Sequence, residues 1–381
     1  MKVLMISTDR KIFETKSSVR RRILEYGTLT EELHIIVFSK RGADFREQKI
    51  GGNVYVYPTN SKNRWWYIFD AVGLAKRVSK KHNLKGKSNL VSTQDPFEAG
   101  LAGLIVARAI GARLQIQIHT DFLSEYFIKD SFLNKIRVYL ARLTIPRADC
   151  IRVVSKRIKK SIIEKYKIPE TKITTLPIFV DVEKIKNSEI NMNLREKYPQ
   201  FDFIILMASR FSEEKNIPLA LRAVSSVIKK YPKTGLIIVG DEPKDSNFKS
   251  LYEKKAVELN LSKNIIFEGW QKDTISYHKT TDLFLNTSNY EGYGMSLIEA
   301  IASDTAIVTT NVGIVGEILT KNNAFICEVG DTRCITRNTM NAIENKSVCK
   351  ELARSATYAI SNIPRKNVYL ELYKKNWEDC V

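Results

Sequence analysis

The chain has 381 residues, 44% of them hydrophobic, five cysteines, and 61 Lys and Arg against 42 Asp and Glu, for a formal net charge of +19. That length exceeds one comfortable core and fits two domains, and the composition excludes a disordered chain. No run is long and apolar enough to span a bilayer, and scattered cysteines without a Cys-x-x-Cys pair argue against structural zinc or a disulfide framework. A reducing cytoplasm is therefore the expected compartment, with peripheral contact to the inner face of an anionic membrane as one use for the positive charge.

Residues 1–8 are too short a run, and too soon followed by charge, to be a secretory signal; they read as a first buried strand. Strand patterns follow at 2–7, 33–38, 53–57, 89–92, 113–119 and 150–154, with helical patterns at 18–26, 68–81 and 97–110 between them. Basic residues are densest at 76–81 and 152–160. Residues 131–142 can form a helix with apolar and basic faces, which packs on a core more often than it rests on lipid. No DNA- or RNA-binding fingerprint accompanies the charge and aromatics are not interleaved with the basic clusters, so nucleic acid is disfavoured. His119 ends a strand, at the carboxyl edge of the sheet; His34, His82 and His278 fall in no metal-ligand pattern with carboxylates.

A second series of strand patterns occupies 201–208, 235–239, 264–267, 282–286 and 305–309, again alternating with helices. Two successive βα arrays predict an α/β protein of two doubly wound, Rossmann-like domains facing a cleft. The boundaries expected are 1–178, 179–362 and a closing amphipathic helix, 363–381, that returns to the N-terminal domain. Arg210 and Lys215 emerge where the apolar run 201–208 ends and a helical pattern begins, the place where open α/β sheets bind ligands. A rigid guanidinium and a mobile ammonium there suit a pyrophosphate. Farther on, Glu291 stands on the loop after a strand and Glu299 in the helix that follows, joined by Gly292-Tyr293-Gly294. Both glycines allow close approach of backbone, and the helix start at Gly294-Met295-Ser296 offers free N–H groups to a phosphate. One carboxylate remains for each hydroxyl-rich group flanking that phosphate, the layout of a nucleotide sugar.

Glu-x7-Glu within Glu-Gly-Tyr-Gly-Met-Ser-Leu-Ile-Glu-Ala resembles the donor-site signature of retaining glycosyltransferases of family 4, and 209–216 resembles that family's Gly-Arg-x-x-x-x-Lys-Gly element. The resemblance implies the GT-B architecture, with the donor on the C-terminal domain and the acceptor mainly on the other. It implies that Arg210 and Lys215 hold the donor diphosphate, that Glu291 holds the sugar hydroxyls and Glu299 the ribose, that Gly269 lies near the base, and that His119 faces the donor sugar. The chain departs from the family near its N-terminus, where the charged, glycine-free segment 9–18 replaces a Gly-Gly loop.

The function expected is hexosyltransferase-type transfer, with retention, from a nucleoside diphosphate sugar to a glycan or lipid-linked acceptor hydroxyl in cell-envelope or polysaccharide synthesis. No metal and no cofactor beyond the co-substrate are expected, because Arg210, Lys215 and helix N–H groups replace a divalent cation. A GT-B-type nucleotide-sugar epimerase, or a non-catalytic basic module binding nucleic acid or anionic membrane, are the alternatives.

Overall fold

Valine, isoleucine and leucine dominate the strands, and their side chains are buried in both directions, as a parallel sheet covered on both faces requires. The computed structural model describes residues 1–243 and 246–381. It divides into two units, Met1–Pro177 with Lys366–Val381, and Ile178–Arg365.

The first unit runs β1 (Lys2–Ser7), α1 (Ser18–Gly27), β2 (Glu32–Val37), β3 (Gln48–Lys49), β4 (Val54–Pro58), α2 (Tyr67–Lys81), β5 (Leu90–Thr93), α3 (Glu98–Ile110), β6 (Arg113–Ile118), α4 (Glu125–Asp130), α5 (Phe132–Thr144), β7 (Cys150–Val153), α6 (Lys156–Tyr166) and β8 (Ile173–Thr175). Its sheet has the order β3-β4-β2-β1-β5-β6-β7-β8. Every pairing is parallel except that of the two-residue edge strand β3. The register sets Lys2 beside Glu32 and Val3 beside Leu90, so the strand order reverses across β1.

The second unit runs α7 (Val182–Asn187), α8 (Leu194–Lys197), β9 (Phe203–Ala208), α9 (Ile217–Lys230), β10 (Thr234–Val239), α10 (Phe248–Glu258), β11 (Ile265–Gly269), α11 (Thr274–Thr280), β12 (Leu283–Asn286), α12 (Met295–Ala302), β13 (Ala306–Thr310), β14 (Phe325–Cys327), α13 (Thr332–Glu344) and α14 (Lys346–Ala359). Its order, β11-β10-β9-β12-β13-β14, places the switch point between β9 and β12. The core gathers Ile205 and Met207 of β9, Leu236 and Ile238 of β10 and Leu283 and Leu285 of β12 against Leu221 and Val224 of α9.

The last helix, α15 (Lys366–Glu378), belongs to the first unit. Tyr369, Tyr373, Asn376 and Trp377 are its buried face. Gln115 Nε2 donates to Asn376 Oδ1 at 2.9 Å, Gln117 Nε2 to the Tyr373 hydroxyl at 3.1 Å, and Tyr373 stacks on Tyr26 with centroids 4.1 Å apart. Arg152, one of the basic cluster read from sequence at 152–160, is not a surface charge. It is 2% exposed, and its guanidinium donates to Gln117 Oε1 (2.7 Å), Leu176 O (3.1 Å), Pro177 O (2.9 Å) and the Tyr369 hydroxyl (3.1 Å). It lies over the Tyr373 ring, 4.8 Å from the centroid. A buried charge so fully satisfied serves the attachment of α15.

The expectation of unpaired cysteines is overturned. Cys150, at the start of β7, is disulfide-bonded to Cys380 just beyond α15, and Cys327 to Cys334; only Cys349 is free, and it is buried. Sequence spacing missed the first link because the fold, not proximity in the chain, carries Cys380 back across a separation of 230.

Candidate functional site

In the second unit, the loops after β9 and β12 are laced together. Thr287 Oγ1 donates to the carbonyls of Lys215 (3.0 Å) and Asn216 (3.1 Å), and Asn289 N–H donates to Glu214 O (2.7 Å). Asn216 holds a left-handed φ of 46°, caps α9 by accepting from Leu219 N–H at 3.2 Å, and donates to Asn289 Oδ1 at 2.9 Å. This lacing fixes Lys215, on the single 3-10 turn Glu213–Lys215, beside Glu291.

Lys215 Nζ donates to Glu291 Oε1 at 2.6 Å, with the two side chains 14% and 13% exposed, and Ser288 Oγ donates to the same oxygen at 2.8 Å. Among the described residues Oε2 takes no hydrogen bond, which leaves it to accept from a ligand. Arg210 is different: 74% exposed, it reaches only Glu214 among the described residues, at 2.9 Å. Glycines shape the same edge. Gly240 has φ +136°, and a Cβ on it would lie 1.8 Å from Ser209 O, so no other residue lets the end of β10 pack behind the Arg210 loop. Gly240 N–H donates to Gly269 O at 2.8 Å, bringing Gly269 to this edge, next to the 67% exposed Trp270.

Gly294, at φ +93°, turns the chain into α12, whose N-terminus has no side-chain cap. Leu297 N–H is the first to find a helical acceptor, at Gly294 O (3.0 Å), so Met295 and Ser296 present N–H groups free of backbone partners among the described residues. Gly292 is buried in the same turn. Ile314 N–H braces the turn through Tyr293 O at 3.0 Å, and a Cβ on Gly313 would lie 2.5 Å from that oxygen.

Glu299 lies one turn into α12, its side chain 28% exposed, and burial raises its carboxyl to about pH 7. His278 of α11, which sequence reading set aside, is wholly buried, with Nε2 3.9 Å from Glu299 Oε2 and both ring nitrogens without a hydrogen-bond partner among the described residues. Burial lowers its pKa to about 3. Both groups are thus driven toward their neutral forms, and the contact is no ion pair.

The structure therefore gathers Arg210, Lys215, Glu291, Gly292, Gly294, Met295, Ser296, Glu299 and Gly269 in one unit. His119 belongs to the other, directly after β6; burial first, then Arg152 and Arg22, lower its pKa to about 3, so its imidazole is neutral. The segment at 9–18 is built rather than loose. Asp9 caps the 3-10 turn Arg10–Phe13, and Ser17 caps α1 through Arg20 N–H at 3.1 Å.

One histidine expectation fails. Glu32, His34 and His82 do converge, with donor atoms all within 4.8 Å of one another. His34 Nε2 is 3.0 Å and His82 Nδ1 3.4 Å from Glu32 Oε2, and Lys2 Nζ is 3.3 Å from the same oxygen. Sequence spacing could not show this, because His82 arrives from the end of α2. The cluster stands at the amino ends of β1 and β2, the opposite edge from the loops after them, and Lys2 already supplies its positive charge.

Two Rossmann-like units, one with a cation–carboxylate pair and an uncapped helix at its switch point, define the GT-B class of protein. The model described as Glycosyl transferases group 1 matches residues 193–359, and Glycosyltransferase Family 4 matches 29–184. The alpha-monoglucosyldiacylglycerol synthase of Streptococcus pneumoniae is 27% identical over 64% of this chain and 55% of its own length. The capsular polysaccharide biosynthesis glycosyltransferase CapM of Staphylococcus aureus is 24% identical over 87% of this chain and 85% of its own. HepE from Anabaena, solved in complex with UDP, superposes with a TM-score of 0.75 at 16% identity over 99% of this chain and 100% of its own. The chain belongs to glycosyltransferase family 4, and it is an enzyme that transfers a sugar.

Proposed function

We propose that this glycosyltransferase moves a sugar, with retention, from a nucleoside diphosphate sugar to a hydroxyl of a glycan or lipid-linked acceptor in cell-envelope synthesis, on the cytoplasmic side of the membrane. The observation that carries the reading is the Lys215–Glu291 pair beside the uncapped start of α12, at the switch point of the second sheet. Lys215 and Arg210 take the diphosphate, with the N–H groups of Met295 and Ser296 beside them. Glu291 accepts sugar hydroxyls through Oε2, and Glu299 accepts those of the ribose. The C1–O bond to the diphosphate breaks as the acceptor oxygen bonds C1 on the same face, and the leaving phosphate takes the acceptor proton. The names of the relatives, a glycolipid synthase and a capsule enzyme, support the acceptor class.

The test is a panel of uridine, guanosine and adenosine diphosphosugars offered with lipid-linked and glycan acceptors, with the anomeric configuration of the product read by NMR. An inverted product overturns retention. Nucleoside diphosphate at 100 times its Kd should raise stability by about 2.7 kcal/mol. Transfer should persist in excess chelator, since protein cations serve the phosphates; loss restored by magnesium would refute metal independence.

A further inference from the structure

The first unit exposes aromatic side chains that no core requires. Trp65 is 71% exposed, Trp66 51% and Phe69 68%, all on the turn and first residues of α2 that follow β4. Asn63 fixes that turn by accepting from Trp65 N–H at 3.0 Å. On α5, Phe132 is 76% and Tyr139 60% exposed. Seven residues separate these two, close to two helical turns, so they share a face. Lys135 and Arg142, also exposed, fall on the same stripe, which alternates aromatic, basic, aromatic, basic. The dense basic clusters at 76–81 and 152–160 contain no aromatic, so the interleaving is particular to this helix.

The two aromatic groups stand on elements that both pack on α3. Glu98, at the start of α3, meets Arg64 (3.9 Å), the neighbour of Trp65, and Arg137 (3.2 Å), which projects from the side of α5 opposite Phe132 and Tyr139. One carboxylate thus ties the Trp turn to α5, and α3 packs on both α2 and α5. Past its first turns, α2 continues the surface with exposed Lys76, Arg77 and Lys80.

We propose that this surface docks the first unit on an anionic lipid bilayer, Trp65, Trp66 and Phe69 entering the headgroup boundary while the flanking Lys and Arg side chains meet anionic headgroups. Indole rings favour the polar–apolar boundary of a membrane, and clustered basic side chains favour anionic lipid. A protein partner fits less well, because the centres of protein interfaces are depleted in Lys. No helix among the described residues is long and apolar enough to cross a membrane, so the contact lies in the interface plane. The Trp turn follows β4 and Glu98 follows β5, so the surface borders the carboxyl edge of the sheet, where His119 also stands. A lipid-linked acceptor would be presented at that edge. This rests on the proposed acceptor class, but vesicle binding needs neither donor nor acceptor, so the two can fail separately.

The experiment uses the whole chain with vesicles of phosphatidylcholine alone or mixed with phosphatidylglycerol, reading co-sedimentation and tryptophan emission. Binding should require phosphatidylglycerol, weaken with salt, and shift emission to the blue. Trp65→Ser/Trp66→Ser should weaken binding by about tenfold or more and abolish the shift, while Trp270→Phe keeps it. Lys135→Glu/Arg142→Glu should weaken binding by at least about fivefold for each charge. These exposed sites leave the melting temperature in place. Wild-type vesicle binding by Trp65→Ser/Trp66→Ser, or an unshifted wild-type emission, overturns the proposal. So does a change in sedimentation velocity without loss of vesicle binding, which would assign the patch to a second copy of the chain.

Discussion

The two sheets share a strand order, β4-β2-β1-β5-β6-β7 in the first unit and β11-β10-β9-β12-β13-β14 in the second, yet their carboxyl edges carry opposite chemistry. After β9 and β12 come Arg210, Lys215, Glu291 and the uncapped start of α12. After β1 comes a glycine-free turn with α1 capped by Ser17, and after β6 a neutral histidine. The first sheet invests its buried polar groups elsewhere: Gln115, Gln117 and Arg152 bind α15. One topology supplies two carboxyl edges, and the loops give each its own chemistry.

The largest effect should separate the two cations. Lys215→Ala and Arg210→Ala should each lower turnover by roughly 10²–10³, the loss seen when a preorganised stabiliser of developing charge is removed. Only Lys215→Ala should also destabilise, since it strands Glu291 in a site 13% exposed, where an orphaned charge costs up to about 3–5 kcal/mol. Arg210, 74% exposed on Glu214, holds an i,i+4 pair of about 0.3–0.5 kcal/mol. Lys215→Ala/Glu291→Gln should recover the melting temperature without recovering turnover. Wild-type turnover in both single variants would remove the diphosphate assignment.

A smaller contrast lies in the disulfides. Cys150–Cys380 closes a separation of 230 and secures α15, whereas Cys327–Cys334 closes one of 7. Cys150→Ser should cost about 2–4 kcal/mol, and Cys327→Ser measurably less, because a longer loop loses more entropy on closure. Melting under oxidising conditions checks this; equal losses would mean that α15 is held by its side chains alone.

Much of this was legible in sequence, for identifiable reasons. Strands such as β9 are continuous apolar runs, and Glu291, Gly294 and Glu299 sit close together in the chain, so local pattern placed them. Arg210 and Lys215 needed only the end of one strand. The failures involve distant residues. Arg152 reads as one more basic residue until Tyr369 and Tyr373 arrive from the C-terminus. Cys380 and His82 find their partners through the fold, and β3, β8 and β14, of two or three residues, are too short to show a period.

The mildest prediction concerns Glu299, whose carboxyl burial raises from 4.5 to about 7. Between those values the native state holds a proton that the unfolded chain has released. The group's stabilising effect is therefore complete below about pH 4.5 and lost as pH rises toward 7, at a cost on the order of 2–3 kcal/mol for so largely buried a group. Glu299→Gln abolishes that slope and should melt higher than wild type above pH 7. Binding runs the other way. A ribose hydroxyl donates to the carboxylate, so wild-type affinity for nucleoside diphosphate should climb with pH toward 7, by up to about tenfold per unit. Glu299→Gln should weaken binding by about 1.5–3 kcal/mol at pH 7.5. It should also retain only the slope that the phosphate itself contributes. Calorimetry across pH 5.5–8 with both proteins measures the difference directly, and parallel slopes would take the ribose away from Glu299.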